Sequence, residues 1–293
     1  MDAFSSRGTS KRWRGRGALG FLRAIAFSVL VVFALFAGLT MSVGDRLIFY
    51  PDSGGDWTAP RRSNLPIEEI EFQSGDGVRL YSWYLRAEGA GPTVLFLQGN
   101  AGNITDRLDV LAALSEIGAD AFFLGYRGYG RSEGTPSEKG LYLDARAAVR
   151  YLTQERGVAP NRLALMGESL GCALAIELAS QERCGGVVLQ SPFTSVRDMA
   201  ARVLPLFPAH WFLKTKFDNL SKIASVSAPI LFFAARHDEV VPFSQTRRLF
   251  EAAPGEPTWV EFDDGGHNDL FSRHRSEWKQ VVSAFLERAC AGK

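Results

Sequence analysis

A chain of 293 residues that is 46% hydrophobic and 22% charged is long enough to bury one large core, and it fits one domain plus an appendage better than two full domains. Its net charge of +1 is unevenly placed: residues 1–23 carry Arg7, Lys11, Arg12, Arg14, Arg16 and Arg23 against Asp2 alone, leaving a mildly acidic body of 27 basic and 31 acidic side chains. Such a body has no electrostatic footprint for nucleic acid, and the three cysteines (Cys172, Cys184 and Cys290), an odd number without metal-ligand spacing, imply no disulfide framework.

After the basic tail, residues 24–44 run 21 positions without a charge. At about 1.5 Å per residue a helix of that length spans roughly 31 Å, the hydrocarbon thickness of a bilayer. A cleaved signal peptide is the competing reading, but the run exceeds the roughly 7 to 15 residues of a signal h-region, and Thr40/Ser42 and Ser42/Gly44 are poor cleavage positions. The expectation is an uncleaved transmembrane signal anchor. Positive residues on its N-terminal side place residues 1–23 in the cytoplasm and the rest of the chain outside it, in the periplasm if the source is bacterial.

Residues 45–66 mix an apolar patch, Leu47 to Tyr50, with turn formers, as a linker that packs on the body would. Glu68–Phe72 and Arg79–Leu85 read as antiparallel edge strands with one wet face, separated by the hairpin signal Ser74-Gly-Asp-Gly77. From Thr93 the pattern alternates. Apolar strands are expected at Thr93–Leu97, Ala121–Leu124, from Leu163, at Gly186–Gln190, Ile230–Ala234 and Thr258–Phe262. Helices are expected from near Asn103, over Leu141–Arg156, Cys172–Ala179 and Phe243–Ala252, and from about Arg273 to Arg288. Apolar inner strands alternating with helices imply a mostly parallel sheet covered on both faces, an α/β doubly wound domain over residues 67–289, with residues 191–229 inserted as a small cap.

In such a sheet reactive groups belong at the carboxyl ends of strands. The strand from Leu163 breaks into Gly167-Glu-Ser169-Leu-Gly171 and resumes as a helix, the context of a nucleophile elbow, in which the two glycines make room for a strained serine. With 29 glycines in the chain, a glycine-rich turn with a capping serine fits the same letters. Two further strand ends bear on the choice: Asp238 follows Ile230–Ala234, with Glu239 as substitute, and His267 follows Thr258–Phe262. The order Ser169, Asp238, His267 is that of an α/β hydrolase, with His267 as proton carrier and Asp238 fixing its tautomer. His210, His237 and His274 fit that role worse. Leu170 N–H and Asn100 N–H are the candidate oxyanion donors, with Gly99 letting the backbone approach.

The chain resembles the α/β-hydrolase superfamily, and within it the membrane-anchored serine hydrolases that include lysophospholipid lipases and protein depalmitoylases. Gln98-Gly-Asn-Ala-Gly-Asn103, Tyr126-Arg-Gly-Tyr-Gly-Arg-Ser-Glu-Gly134, Gly167-Glu-Ser-Leu-Gly171, Ser191-Pro-Phe193, His237-Asp-Glu-Val-Val-Pro242 and Gly265-Gly-His-Asn268 carry the resemblance. The family usually has histidine at Gln98, whose amide is expected to brace the loop by hydrogen bonds. The resemblance implies cleavage of esters or thioesters of small acyl substrates, lipids included, without a metal or organic cofactor. An amide or peptide hydrolase and an inactive membrane-bound scaffold are the alternatives. In the cap, Val203–Pro208 and Trp211–Leu213 either line an acyl pocket or pack the cap on the body.

Overall fold

The computed structural model describes residues 48–63, 65–89, 91–203 and 213–291, with a few isolated positions between 25 and 38. The basic tail and most of the apolar run at 24–44 lie outside these residues. Among the described residues no helix is long and apolar enough to cross a membrane.

In chain order the elements are β1 (Tyr50–Pro51), α1 (Ala59–Arg62), β2 (Ile67–Gln73), β3 (Arg79–Leu85), β4 (Thr93–Leu97), β5 (Ala101–Gly102), α2 (Leu108–Glu116), β6 (Asp120–Phe123), α3 (Glu138–Arg150) and β7 (Leu163–Glu168). Then follow α4 (Leu170–Gln181), β8 (Gly186–Gln190), α5 (Val196–Val203), α6 (Leu220–Ile223), β9 (Ile230–Ala235), α7 (Phe243–Ala252), β10 (Thr258–Phe262), α8 (Leu270–Arg273) and α9 (Arg275–Ala289). Eight strands form one sheet in the order β10-β9-β8-β7-β4-β6-β3-β2. The pairings β2/β3 and β3/β6 are antiparallel and all others in this sheet parallel. The tiny β1 and β5 pair with each other, parallel, as a separate two-stranded sheet.

The inner strands are apolar throughout because they are covered twice. Leu95, Leu97, Leu165, Val187, Leu189 and Phe232 pack with Leu141, Ala148 and Leu174 of α3 and α4. Val94, Phe96, Met166, Val188 and Phe233 pack on the opposite face with Leu111, Leu114, Trp278, Val282 and Phe285 of α2 and α9. Alternate residues of one strand thus serve two cores, the period-two consequence of a pleated backbone.

Three local expectations need correction. Strand β3 has no wet face: residues 80 to 85 are all buried, because β2 takes the sheet edge and Trp57 lies edge-on to Tyr81 and Trp83, at 5.4 and 6.1 Å between ring centroids. Helix α3 starts at Glu138 rather than Leu141, since the Ser137 hydroxyl accepts the Gly140 N–H at 3.2 Å as an N-cap, and it widens into a π turn at Tyr151–Glu155. The last helix is broken at His274, which stands between α8 and α9 with its ring 4.1 Å from that of Phe262.

Candidate active site

Strand β7 delivers Ser169 to the N-terminus of α4 with φ +51° and ψ −111°, a conformation that costs a non-glycine residue about 1–3 kcal/mol. The flanking glycines are sterically required. A Cβ on Gly171 would stand 1.8 Å from the Leu97 carbonyl oxygen, and one on Gly167 2.5 Å from the Cys172 main chain. The serine main chain is held by its own N–H donating to Gln190 O at 2.9 Å and by Cys172 N–H donating to Ser169 O at 3.0 Å.

Two other loops meet this elbow. His267 Nε2 lies 2.9 Å from Ser169 Oγ, and its Nδ1 lies 3.0 and 2.8 Å from the two Asp238 carboxylate oxygens. The imidazole and carboxylate are both buried, at 8% and 3% side-chain exposure. A carboxylate only accepts, so Nδ1 carries the proton and Nε2 is left to accept the hydroxyl hydrogen. Asp238 also does turn work, its Oδ1 accepting Val240 N–H at 2.9 Å and Val241 N–H at 2.7 Å, so one side chain fixes both its own loop and the histidine.

Glu239, the substitute candidate, reaches the histidine's main chain instead: its Oε2 accepts His267 N–H at 3.1 Å, and a Cβ on Gly266 would come within 2.2 Å of that oxygen. His274 turns to Asp264, His237 is exposed, and His210 lies outside the described residues.

The loop Gln98–Asn103 runs beside the elbow; a Cβ on Gly99 would be 3.7 Å from Ser169 Cβ. The Leu170 N–H, the first of α4, has no intrahelical acceptor by position, which leaves it available to an anion. Gln98 departs from expectation. It is 1% exposed, yet among the described residues neither its Nε2 nor its Oε1 has a hydrogen-bond partner, so its side chain does not brace the loop. The bracing is through main-chain carbonyls: Tyr126 Oη donates to Gln98 O at 2.9 Å and Tyr129 Oη to Asn100 O at 2.8 Å.

One pairing had no sequence signal. Arg107, at the end of the turn before α2, grips Glu168 with Nε and Nη2, each at 3.0 Å, tying the residue before Ser169 to the segment after the Gln98–Asn103 loop. The partners lie 61 residues apart, and neither belongs to a pattern that names the other. Cys172 behaves as an inert core residue: burial pushes its thiol well above the ordinary range, while Sγ rests 3.1 Å from Gly167 O. Among the described residues no cluster of three His, Cys, Asp or Glu is placed to hold a metal ion.

A family model described as serine aminopeptidase, S33, matches residues 90–225. The α/β hydrolase domain-containing protein WAV2 of Arabidopsis thaliana is 36% identical over 253 residues, covering 78% of this chain and 81% of its own. The membrane protein YNL320W of Saccharomyces cerevisiae, of uncharacterized function, is 36% identical over 236 residues, covering 78% and 83%. Among solved structures, the Pyrococcus furiosus esterase Pf2001 superposes with a TM-score of 0.72 at 21% identity, covering 82% of this chain and 98% of that one, a likeness of fold. With the sheet order, the elbow and these relatives in agreement, the chain belongs to the α/β-hydrolase superfamily.

Proposed function

We propose that this hydrolase is a membrane-anchored serine esterase or thioesterase acting on acyl, lipid-like substrates. The observation that carries the reading is the unbroken chain Ser169 Oγ, His267 Nε2, His267 Nδ1, Asp238 carboxylate, with every link at 2.8–3.0 Å. In this reading Ser169 Oγ attacks the acyl carbon while its proton passes to His267 Nε2. Asp238 stabilises the imidazolium, and Leu170 N–H and Asn100 N–H hold the oxyanion. His267 then gives the proton to the departing alcohol or thiol. It next takes one from the water that attacks the acyl-enzyme, and collapse of the second intermediate frees the acid and restores Ser169. No step calls for a metal or an organic cofactor.

Anchoring rests on the charge-free run at 24–44 behind six basic residues, and the yeast relative is itself named a membrane protein. Ile48, where the described body begins, follows Gly44 by four residues, which reach at most about 14 Å. A body tethered that closely, on the extracytoplasmic side by the positive-inside rule, meets acyl chains presented at a bilayer surface.

Amide or peptide hydrolysis is the second reading, favoured by the description of the matching family model. The test exposes the full-length protein in detergent to a fluorophosphonate probe, to p-nitrophenyl esters of two and sixteen carbons, to an acyl thioester and to aminoacyl p-nitroanilides. Ser169→Ala and His267→Ala variants run beside the wild type. Wild-type labelling with ester turnover, and loss of about 10⁴-fold or more in both variants, is expected. Turnover of the anilides alone would install the peptidase reading, and a folded wild type that never labels would leave a scaffold.

A further inference from the structure

The donor assigned to Asn100 sits on a glycine-flanked loop outside the main sheet, and a preorganised oxyanion site cannot rest on a loop free to tilt its peptide planes. The Asn100 N–H belongs to the Gly99–Asn100 peptide. On one side of it, the Gln98 carbonyl is held by Tyr126 Oη at 2.9 Å. On the other, the Asn100 carbonyl takes two donors, Tyr50 N–H at 3.0 Å and Tyr129 Oη at 2.8 Å. Because a trans peptide points its N–H opposite its C=O, pinning a carbonyl fixes its whole plane. The plane that carries the donor is therefore bracketed by two pinned ones.

Tyr50 is part of a longer strap. Asn100 Nδ2 donates to Ile48 O at 3.0 Å, Asp52 N–H to Gly102 O at 3.4 Å, and Asn103 Nδ2 to both Asp52 O and Gly54 O at 3.0 Å. Gly130 N–H donates to Asp52 O at 2.8 Å, so the strap is fastened to the Tyr126–Gly134 loop as well. Phe49 is buried and meets Phe217 edge-on at 6.2 Å, whereas the Tyr50 side chain is half exposed, so its main chain makes the critical contact.

We infer that the segment Ile48–Gly54, through the Tyr50 N–H and together with the Tyr129 hydroxyl, is a positioning element that sets the Asn100 N–H in oxyanion geometry. This inference rests on the serine-hydrolase reading of the site. It also makes the segment with which the described body begins a support of the oxyanion loop.

The test uses the full-length protein with Tyr129→Phe, Tyr50→Pro, both together, and Tyr50→Phe. Tyr129→Phe keeps the buried ring, Tyr50→Pro removes the main-chain donor together with the half-exposed phenol and fixes φ there, and Tyr50→Phe keeps that donor. Turnover of p-nitrophenyl butyrate, the second-order rate of fluorophosphonate labelling and the thermal midpoint are measured. Expected is a fall in kcat of about 10-fold for each single variant and about 100-fold for the double, less than the 10²–10³ of deleting a donor outright for each single. KM should stay within about 2-fold and labelling should slow in parallel, while Tyr50→Phe restores the rate. A folded double variant with wild-type kcat and labelling would overturn the inference while leaving the hydrolase reading intact, as would a Tyr50→Phe loss equal to that of Tyr50→Pro. A folded wild type that does not label at Ser169 would overturn both.

Discussion

The elbow and the loop that faces it are built by opposite means. Around Ser169 the backbone is confined by contact: Gly167 and Gly171 are walled in by main-chain atoms of Cys172 and Leu97, and the strained serine has nowhere else to go. At Gly99 the Gln98–Asn103 loop is not walled in by main chain in this way, for a Cβ there would meet nothing closer than 3.5 Å. It is held by hydrogen bonds exchanged with residues remote in sequence, Ile48–Gly54 upstream and Tyr126 and Tyr129 downstream. Confinement resists any added atom; a hydrogen-bonded strap tolerates added atoms but depends on each donor.

The sharpest test of that contrast pairs two glycines. Gly171→Ala forces a Cβ into the Leu97 carbonyl and should cost more than about 4 kcal/mol, seen as loss of the cooperative unfolding transition or of soluble protein. Gly99→Ala should fold within about 1 kcal/mol of wild type and lose activity instead, because its methyl would lie 3.7 Å from Ser169 Cβ at the mouth of the site. An equal stability loss in the two would erase the distinction.

Next in size is the support of the loop that carries Tyr126 and Tyr129. Arg127 is buried and grips Asp144, itself fully buried, with Nη2 to Oδ1 at 2.8 Å, while its N–H donates to Oδ2 at 2.9 Å. Removing Asp144 leaves the buried guanidinium only the half-exposed Asp76 and Ser74 as partners, so Asp144→Ala should destabilise by about 3 kcal/mol in denaturant titration. Activity should fall in the fraction that remains folded, since the tyrosine donors ride on this loop.

A smaller effect separates Glu239 from Asp238. Glu239→Ala deletes only the acceptor for His267 N–H and should cost about 1 kcal/mol with a several-fold drop in kcat. Asp238→Ala should instead cost about 10³-fold or more in kcat, since it orients the ring itself. Comparable losses in the two would mean that the main chain of the histidine loop, rather than its tautomer, limits the reaction.

The smallest concerns Asp76, whose carboxyl the Arg127 hydrogen bond holds down from 3.8 to about 2. A carboxyl lowered on folding stabilises the fold fully above its unfolded value and loses that contribution as pH falls through the folded one. The stability gap between wild type and Asp76→Asn should be constant above about pH 5 and close between about pH 4 and pH 2. With the Asp76 side chain 40% exposed, solvent screening keeps that gap under about 1 kcal/mol. A gap that survives below pH 2 would assign it to packing.

The three side chains that the fold brings together, Ser169, Asp238 and His267, could be picked out because each sits in a short local pattern: a glycine-flanked serine between strand and helix, an acid past an apolar strand, a histidine in a glycine turn past the next. Gln98 and Glu239 show where local reading stops. The amide expected to brace the loop has no partner among the described residues, and the carboxylate held in reserve serves a main-chain N–H. Both outcomes depend on which groups lie across a gap, and adjacency in sequence does not report that. The same holds for Trp57, whose approach to Tyr81 and Trp83 dried a strand face that alternation predicts to be wet.

Period-two and period-3.6 patterning of apolar residues is written residue by residue, so the sequence by itself determined the alternating elements, the two-sided parallel sheet and the elbow with its strained serine. The tertiary structure decided how the loop opposite that serine is held, through the strap at Ile48–Gly54, the two tyrosines and the Arg107–Glu168 pair. Those bonds join residues about 30 to 60 positions apart. A main-chain donor such as the Tyr50 N–H can be supplied by any residue but proline, and a tyrosine hydroxyl or an arginine names no partner in its own sequence, so the fold alone decides which groups meet.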